Sequence, residues 1–139
     1  MDAQIVQLKG ITFMGRGKTG HWVAMDGPEK FEGSDSATRP KELILISLGG
    51  CTGSDVISIL KKMREKVTRF EIEIEAEEEK ERHPKVYKKI HILYKFWGDS
   101  LKKAVVEKAI NLSLDSYCSV TAMLKNSVTI TNSYQINPE

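Results

Sequence analysis

PKELILISLGGCTGSDVISILKKMREK, residues 40–66, decides how this chain is read. Pro40 suits the first turn of a helix, where its missing N–H costs nothing. Leu43, Ile44, Leu45, Ile46 and Leu48 follow, apolar on every side, which predicts a buried first half. Val56, Ile57, Ile59, Leu60 and Met63 then form one stripe, with Lys61, Lys62, Arg64 and Glu65 opposite. The pattern predicts a long helix that starts in the core and emerges at the surface. Gly49, Gly50 and Gly53 surround Cys51 in its middle. Each glycine costs a helix interior about 1 kcal/mol, so a compensating close approach is expected there, by another backbone or by a ligand beside the cysteine.

Strands flank this helix on both sides. Residues 4–14 alternate roughly and read as one strand, GRGKTG (15–20) as a glycine-rich turn, and 21–26 as the returning strand of a hairpin. A short strand is expected at 30–32. After the helix, FEIEIEAEEE (70–79) sets Phe70, Ile72, Ile74 and Ala76 against Glu71, Glu73, Glu75 and Glu77. VYKKIHILYKFW (86–97) sets Ile90, Ile92, Tyr94 and Phe96 against Lys89, His91 and Lys95. A hairpin turning near His83-Pro84 puts glutamates beside lysines on a wet face. Residues 100–115 read as an amphipathic helix capped by Ser100, with Leu101, Ala104, Val105, Ala109, Ile110 and Leu112 apolar. A break at 115–118, a short helix at 119–126 and a last strand at 127–136 complete the chain.

Strands in hairpins around a long helix are an α+β plan with largely antiparallel sheets. One small sheet does not cover an all-apolar helix half, so a second subunit is expected as its cover. The 139 residues read as one domain, 1–139. Lys plus Arg number 21 and Asp plus Glu 19, a net charge of +2, which gives no reason to expect nucleic acid or a membrane as partner. No uninterrupted apolar run approaches transmembrane length. The start, MDAQIVQLKG, has neither a basic nor an apolar leader segment, so a cytoplasmic location is expected.

Chemistry rests on Cys51 and Cys118. Two separated cysteines are a poor disulfide scaffold; they are inert core residues or working thiols. A helix N-terminus, as predicted just after Cys118, favours a thiolate. If both helices pack on one sheet, the two sulfurs are neighbours. Asp55, four residues after Cys51, lies on the same helix face and is a possible carboxylate partner or a surface residue. Glu42 sits at the third helical position if Arg39 is the cap, where a capping-box glutamate belongs. Nine positions on from it, Cys51 falls on the opposite side of a straight helix. His21, His83 and His91 read as surface or hydrogen-bonded histidines. Metal-ligand spacing is absent, so no metal is expected. GRGKTG lacks the full phosphate-loop spacing.

RPKELILISLGGCTGSDVISILKKMR (39–64) and YCSVTAMLKNSVTI (117–130) together resemble the two cysteine motifs of the OsmC/Ohr family. The Gly-Gly-Cys-Thr-Gly form resembles its OsmC-like (YhfA-like) branch more than its organic hydroperoxide resistance branch. The resemblance implies an OsmC-like fold and an intertwined homodimer with active sites at the interface. It implies a thiol-dependent peroxidase acting on organic hydroperoxides or hydrogen peroxide. Cys51 would be the peroxidatic nucleophile, oxidised to a sulfenic acid. Cys118 would resolve it as a disulfide, and an external dithiol, of which a lipoyl-type one is an example, would recycle the pair. No cofactor is implied. By the same resemblance Arg16, with Arg39 as a second candidate, would face the thiolate and the peroxide, paired with a glutamate. This chain has Lys41 directly after the proline and the acid one place later, as Glu42. The alternative function is a small-molecule-binding or redox-sensing protein with little turnover.

Overall fold

The computed structural model describes residues 1–139 and divides the chain into two compact units, 1–46 and 47–139. The first holds three antiparallel strands in the order β1 (Ala3–Lys9), β2 (Thr12–Gly17), β3 (Trp22–Met25). The single strand expected over 4–14 is thus two strands. Gly10 turns between them with φ +55, and an added Cβ there would lie 2.2 Å from the Glu32 carbonyl oxygen. Only glycine meets both demands. The turn expected at 15–20 begins later, because Gly15 and Arg16 pair with both neighbouring strands. Residues Glu29–Phe31 form a single 3₁₀ turn instead of the expected strand.

That turn lies in a loop organised by Asp26, which is buried. Its carboxylate accepts hydrogen bonds from the backbone N–H of Gly27 (2.8 Å), Ser34 (3.1 Å) and Ser36 (3.2 Å), and from the hydroxyls of Thr12 (3.0 Å) and Ser36 (2.8 Å). Burial pushes this acid up, but the donors of Gly27, Ser36 and Ser34 outweigh it and hold the carboxyl well below its ordinary range. A folded value below the unfolded one, about 4, gives stability that is complete above that pH and fades as pH falls beneath it. Asp26→Asn is therefore expected to lower the melting temperature at pH 7, with the gap to the parent narrowing below about pH 4. A gap that stays constant from pH 7 to pH 3 would discard this account.

The predicted central helix is α1, Glu42–Lys62. It opens in the first unit and runs on into the second. Its buried residues are Leu48, Thr52, Val56 and Leu60, one stripe of spacing four. The single chain buries the first half only in part: Leu48 is buried and Leu43 and Leu45 half-buried, while Ile44 and Ile46 are 40% and 59% exposed. A single face is packed, and the apolar residues on the others are left to solvent in the isolated chain. By length and composition alone α1 could cross a membrane. Its stripe instead builds a core.

The second unit is a sheet of β4 (Arg69–Glu78), β5 (Tyr87–Trp97) and β6 (Thr129–Ile136), in that order. β4 and β5 are the predicted hairpin, with Ile72 opposite Tyr94, Ile74 opposite Ile92 and Glu71 opposite Lys95. Glu73 and Lys95 form an ion pair on the wet face. β6 joins β5 in parallel, so the sheets are antiparallel-rich rather than wholly antiparallel. Ile90, Ile92, Tyr94 and Phe96 form the buried row of β5. Gly49 and Gly53 let α1 approach this sheet closely: an added Cβ would meet Ile74 at 3.3 Å and Ile72 at 3.1 Å. The close approach expected around Cys51 is made by these sheet side chains and not by a backbone or a ligand. Gly50 faces open space.

The helix expected over 100–115 is shorter, α2 (Lys103–Leu112), and is preceded by Lys102 without a side-chain cap rather than by Ser100. Its buried residues are Val106, Ala109 and Ile110; Ala104 is exposed, so the packed stripe is rotated from the expected one. A π-helical turn, Ser113–Tyr117, fills the predicted break. It leads to Cys118 and the short α3, Ser119–Leu124.

Candidate active site

Two cysteines that stand far apart in sequence meet in the second unit. Cys51 lies mid-way along α1 and is half-buried; Cys118 caps α3 and is 2% exposed. Both are free thiols. Their sulfurs and a carboxylate oxygen of Asp55 lie within 4.8 Å of one another. The sulfurs are the neighbours that packing of both helices on one sheet would make them, and of the two readings of Asp55 the structure has the one beside the thiols. The two sulfurs and the acid are also soft and hard donors of the kind a divalent metal takes, although three is one short of a closed tetrahedral set.

The π-helical turn places the second sulfur. Its wider backbone closes with the Cys118 N–H on the Ser113 carbonyl at 2.7 Å, and such turns gather at functional sites. The Cys118 sulfur then accepts the Thr121 N–H at 3.4 Å, as a capping serine oxygen would. The Thr121 hydroxyl is buried toward the same sulfur, outside ordinary hydrogen-bonding geometry. The helix end was expected to favour the thiolate. Burial instead pushes the Cys118 thiol up, Thr121 pulls it partly back, and Cys51 raises it again. A six-residue helix offers too little positive charge to offset a buried sulfur.

Asp55 is held by a chain of hydroxyls that the sequence reading missed. Thr52 Oγ1 lies 2.8 Å from both Tyr94 Oη and Ser113 Oγ, and Ser113 Oγ donates to Asp55 Oδ2 at 3.0 Å. Thr52, Tyr94 and Ser113 are all fully buried. A carboxylate only accepts, so the Ser113 proton points at Asp55. Ser113 then accepts from Thr52, and Thr52 from Tyr94. The donation runs one way, Tyr94 to Thr52 to Ser113 to Asp55. Burial pushes the Tyr94 hydroxyl up to about 12, so it keeps its proton at the head of the chain. The signal was available: Thr52 and Ser113 are polar members of otherwise apolar buried stripes.

The arginines and Glu42 singled out lie in the first unit, His91 in the second. Arg16 is on β2, where its Nε donates to Gln4 Oε1 at 2.9 Å and its guanidinium stacks 4.8 Å from the Trp22 ring centre. The Glu42 carboxylate accepts the Arg39 N–H at 2.9 Å, while the Arg39 carbonyl accepts from Glu42 and Leu43. That is the capping-box contact its position suggested. Arg39 itself pairs with Asp35, which raises the guanidinium further. His91 on β5 bonds Thr131 (2.7 Å) and Ser133 (2.8 Å), the hydrogen-bonded histidine expected.

The sequence profile of the OsmC-like protein family matches residues 33–133, the stretch that carries both cysteines. This chain belongs to the OsmC-like family. It is 38% identical over 136 residues to Protein YhfA of Escherichia coli (strain K12), covering 98% of each chain. It is similar to a solved hypothetical protein from Aquifex aeolicus VF5, at 32% identity and a TM-score of 0.84, covering 99% of this chain and 96% of that one. An organic hydroperoxide resistance protein from Elizabethkingia anophelis shares the OsmC-like fold at 13% identity and a TM-score of 0.70, with 97% and 94% covered.

Proposed function

We propose that this OsmC-like protein is a cytoplasmic thiol peroxidase that works as a homodimer. The observation that carries the proposal is the pairing of a half-exposed Cys51 with a buried Cys118 within 4.8 Å. The accessible thiolate of Cys51 attacks the outer peroxide oxygen. The O–O bond breaks, the departing alkoxide or hydroxide takes up the proton that the Cys51 thiol released on ionising and leaves as alcohol or water, and Cys51 becomes a sulfenic acid. Cys118, sheltered from solvent, condenses with it to a disulfide and water. An external dithiol then reduces the disulfide by exchange. The fold relative from Elizabethkingia anophelis, named for organic hydroperoxide resistance, supports the substrate class.

The dimer is supported by apolar surface that the isolated chain leaves open. Ile44 and Ile46 of α1 are exposed, as are Ile5, Val6, Leu8, Trp22 and Val23 of the first sheet. A second subunit is the natural cover for it. Sedimentation is expected to give twice the chain mass, and a monomer at micromolar concentration would remove this part of the proposal. Arg16 and Glu42 enter as candidates for orienting the peroxide. Arg16→Gln and Glu42→Gln are expected to slow oxidation of Cys51, and unchanged rates would retire them.

The deciding experiment is a thiol count on native protein before and after one equivalent of cumene hydroperoxide, with mass spectrometry of the product. Two thiols are expected to become one intramolecular Cys51–Cys118 disulfide within seconds. Thiols that survive until denaturant is added would defeat the proposal. A second reading, a redox sensor or small-molecule-binding protein with little turnover, is favoured by one observation: Arg16 and Glu42 already have structural partners. Sustained peroxide consumption with dihydrolipoamide separates the two.

A further inference from the structure

We infer that Asp55 carries the proton of the resolving step, from the Cys118 thiol to the hydroxyl that leaves Cys51. The inference rests on the peroxidase reading. Three features of the site carry it. The Asp55 carboxylate lies within 4.8 Å of both sulfurs, so one group stands beside the proton's origin and its destination, within the span of a single bridging water. Ser113 bonds one of its oxygens at 3.0 Å, and the buried hydroxyls of Thr52 and Tyr94 fix Ser113 in turn. A chain of three oriented donors ending on one acid sets that acid in place. Finally, Cys118 is buried, with Thr121 facing its sulfur. Solvent has poor access to take its proton away.

The step balances without another reactant. Cys118 S–H gives its proton to Asp55 as its sulfur attacks the Cys51 sulfenic sulfur. The S–S bond forms and the Cys51 S–OH bond breaks. The departing hydroxide takes the proton from Asp55 and leaves as water. The Cys118 sulfur is oxidised, the Cys51 sulfur is reduced, and Asp55 ends as it began. Burial holds the Cys118 proton on sulfur between turnovers, which is why a carrier is needed at that moment and not before.

The test follows the two steps separately by stopped flow after one equivalent of cumene hydroperoxide. Sulfenic acid on Cys51 is trapped with dimedone at timed intervals, and the disulfide is counted by mass spectrometry. Asp55→Asn is expected to slow disulfide formation by about 10²-fold, the ordinary size of a proton-transfer contribution, while sulfenic acid formation loses at least tenfold less. Asp55→Ser, a second variant in case the first misfolds, is expected to show the same split, with formate partly restoring the slow step. A purely structural role would not respond to formate. Asp55→Asn and Asp55→Ser proteins that resolve at the parent rate, or slow both steps equally, overturn the inference and leave the peroxidase reading standing. A parent protein that forms no sulfenic acid overturns both.

Discussion

Cys51→Ser is expected to lower peroxide consumption by on the order of 10³-fold or more, because it removes the atom that attacks. Cys118→Ser is expected to behave differently. It still takes up one equivalent of peroxide per chain, then stops with a persistent sulfenic acid that dimedone captures. The asymmetry follows from the surroundings of the two sulfurs. Cys51 is half-buried on the middle of a long helix, within reach of a dissolved peroxide. Cys118 is closed off at the start of α3 with the Thr121 N–H on its sulfur. A site in which either cysteine could attack first would give two similar single variants, each oxidised once. Stopped-flow uptake of cumene hydroperoxide by each variant decides it. A Cys118→Ser protein that takes up no peroxide, beside a Cys51→Ser protein that does, would reverse the assignment.

The parts of the fold that sequence exposed are those in which one period governs. In β4 and β5 every second residue is apolar, and the observed register sets Ile72 against Tyr94 and Ile74 against Ile92. Period two leaves no other way to bury those residues together. α1 was legible for the same reason over its second half, where Val56 and Leu60 stand against lysines. Its first half misled because Leu43 to Ile46 are apolar all round. Such a run says that burial is wanted but not which partner supplies it, and one chain supplies only one face. β1 and β2 were merged because Gly10 interrupts the apolar pattern for a single tight turn.

The site divides along a similar line. Cysteine chemistry and the two family motifs were readable from residue types. The meeting of Cys51 with Cys118 was open until the second unit brought their sulfurs within 4.8 Å. Of the Tyr94–Thr52–Ser113–Asp55 chain only the two polar positions on buried stripes, Thr52 and Ser113, were legible, because its members come from three elements with no common period. Cys118 also behaved differently from its sequence context. Position at a helix start favoured a thiolate, but burial reversed the direction, and burial is a property of packing.

Phe96→Ala is expected to cost about 3–5 kcal/mol, the range for truncating a buried aromatic. Phe96 is fully buried, with its ring 4.8 Å from that of Phe70 and 6.4 Å from that of Tyr94. These three rings lie on the face of the β4–β5 hairpin against which α1 is drawn close, since an added Cβ at Gly53 would meet Phe70 at 3.6 Å as well as Ile72. Removing one ring opens a cavity that its neighbours can fill only by tilting. Tyr94→Phe is the informative comparison. It keeps the stacked ring and removes only the hydroxyl that donates to Thr52, which still donates to Ser113, so it is expected to cost about 0.5–1.5 kcal/mol, the net worth of one hydrogen bond. Urea denaturation of both variants separates apolar support from polar alignment. The larger loss in Phe96→Ala should leave Cys51 oxidation intact well below the unfolding transition, because Phe96 packs on the Tyr94 ring and carries none of the hydrogen bonds of the hydroxyl chain. The smaller loss in Tyr94→Phe should disturb Thr52 and Ser113, and through them the placement of Asp55. Equal costs, or a cost below about 1 kcal/mol for Phe96→Ala, would mean that the aromatic face is not what holds the second unit together.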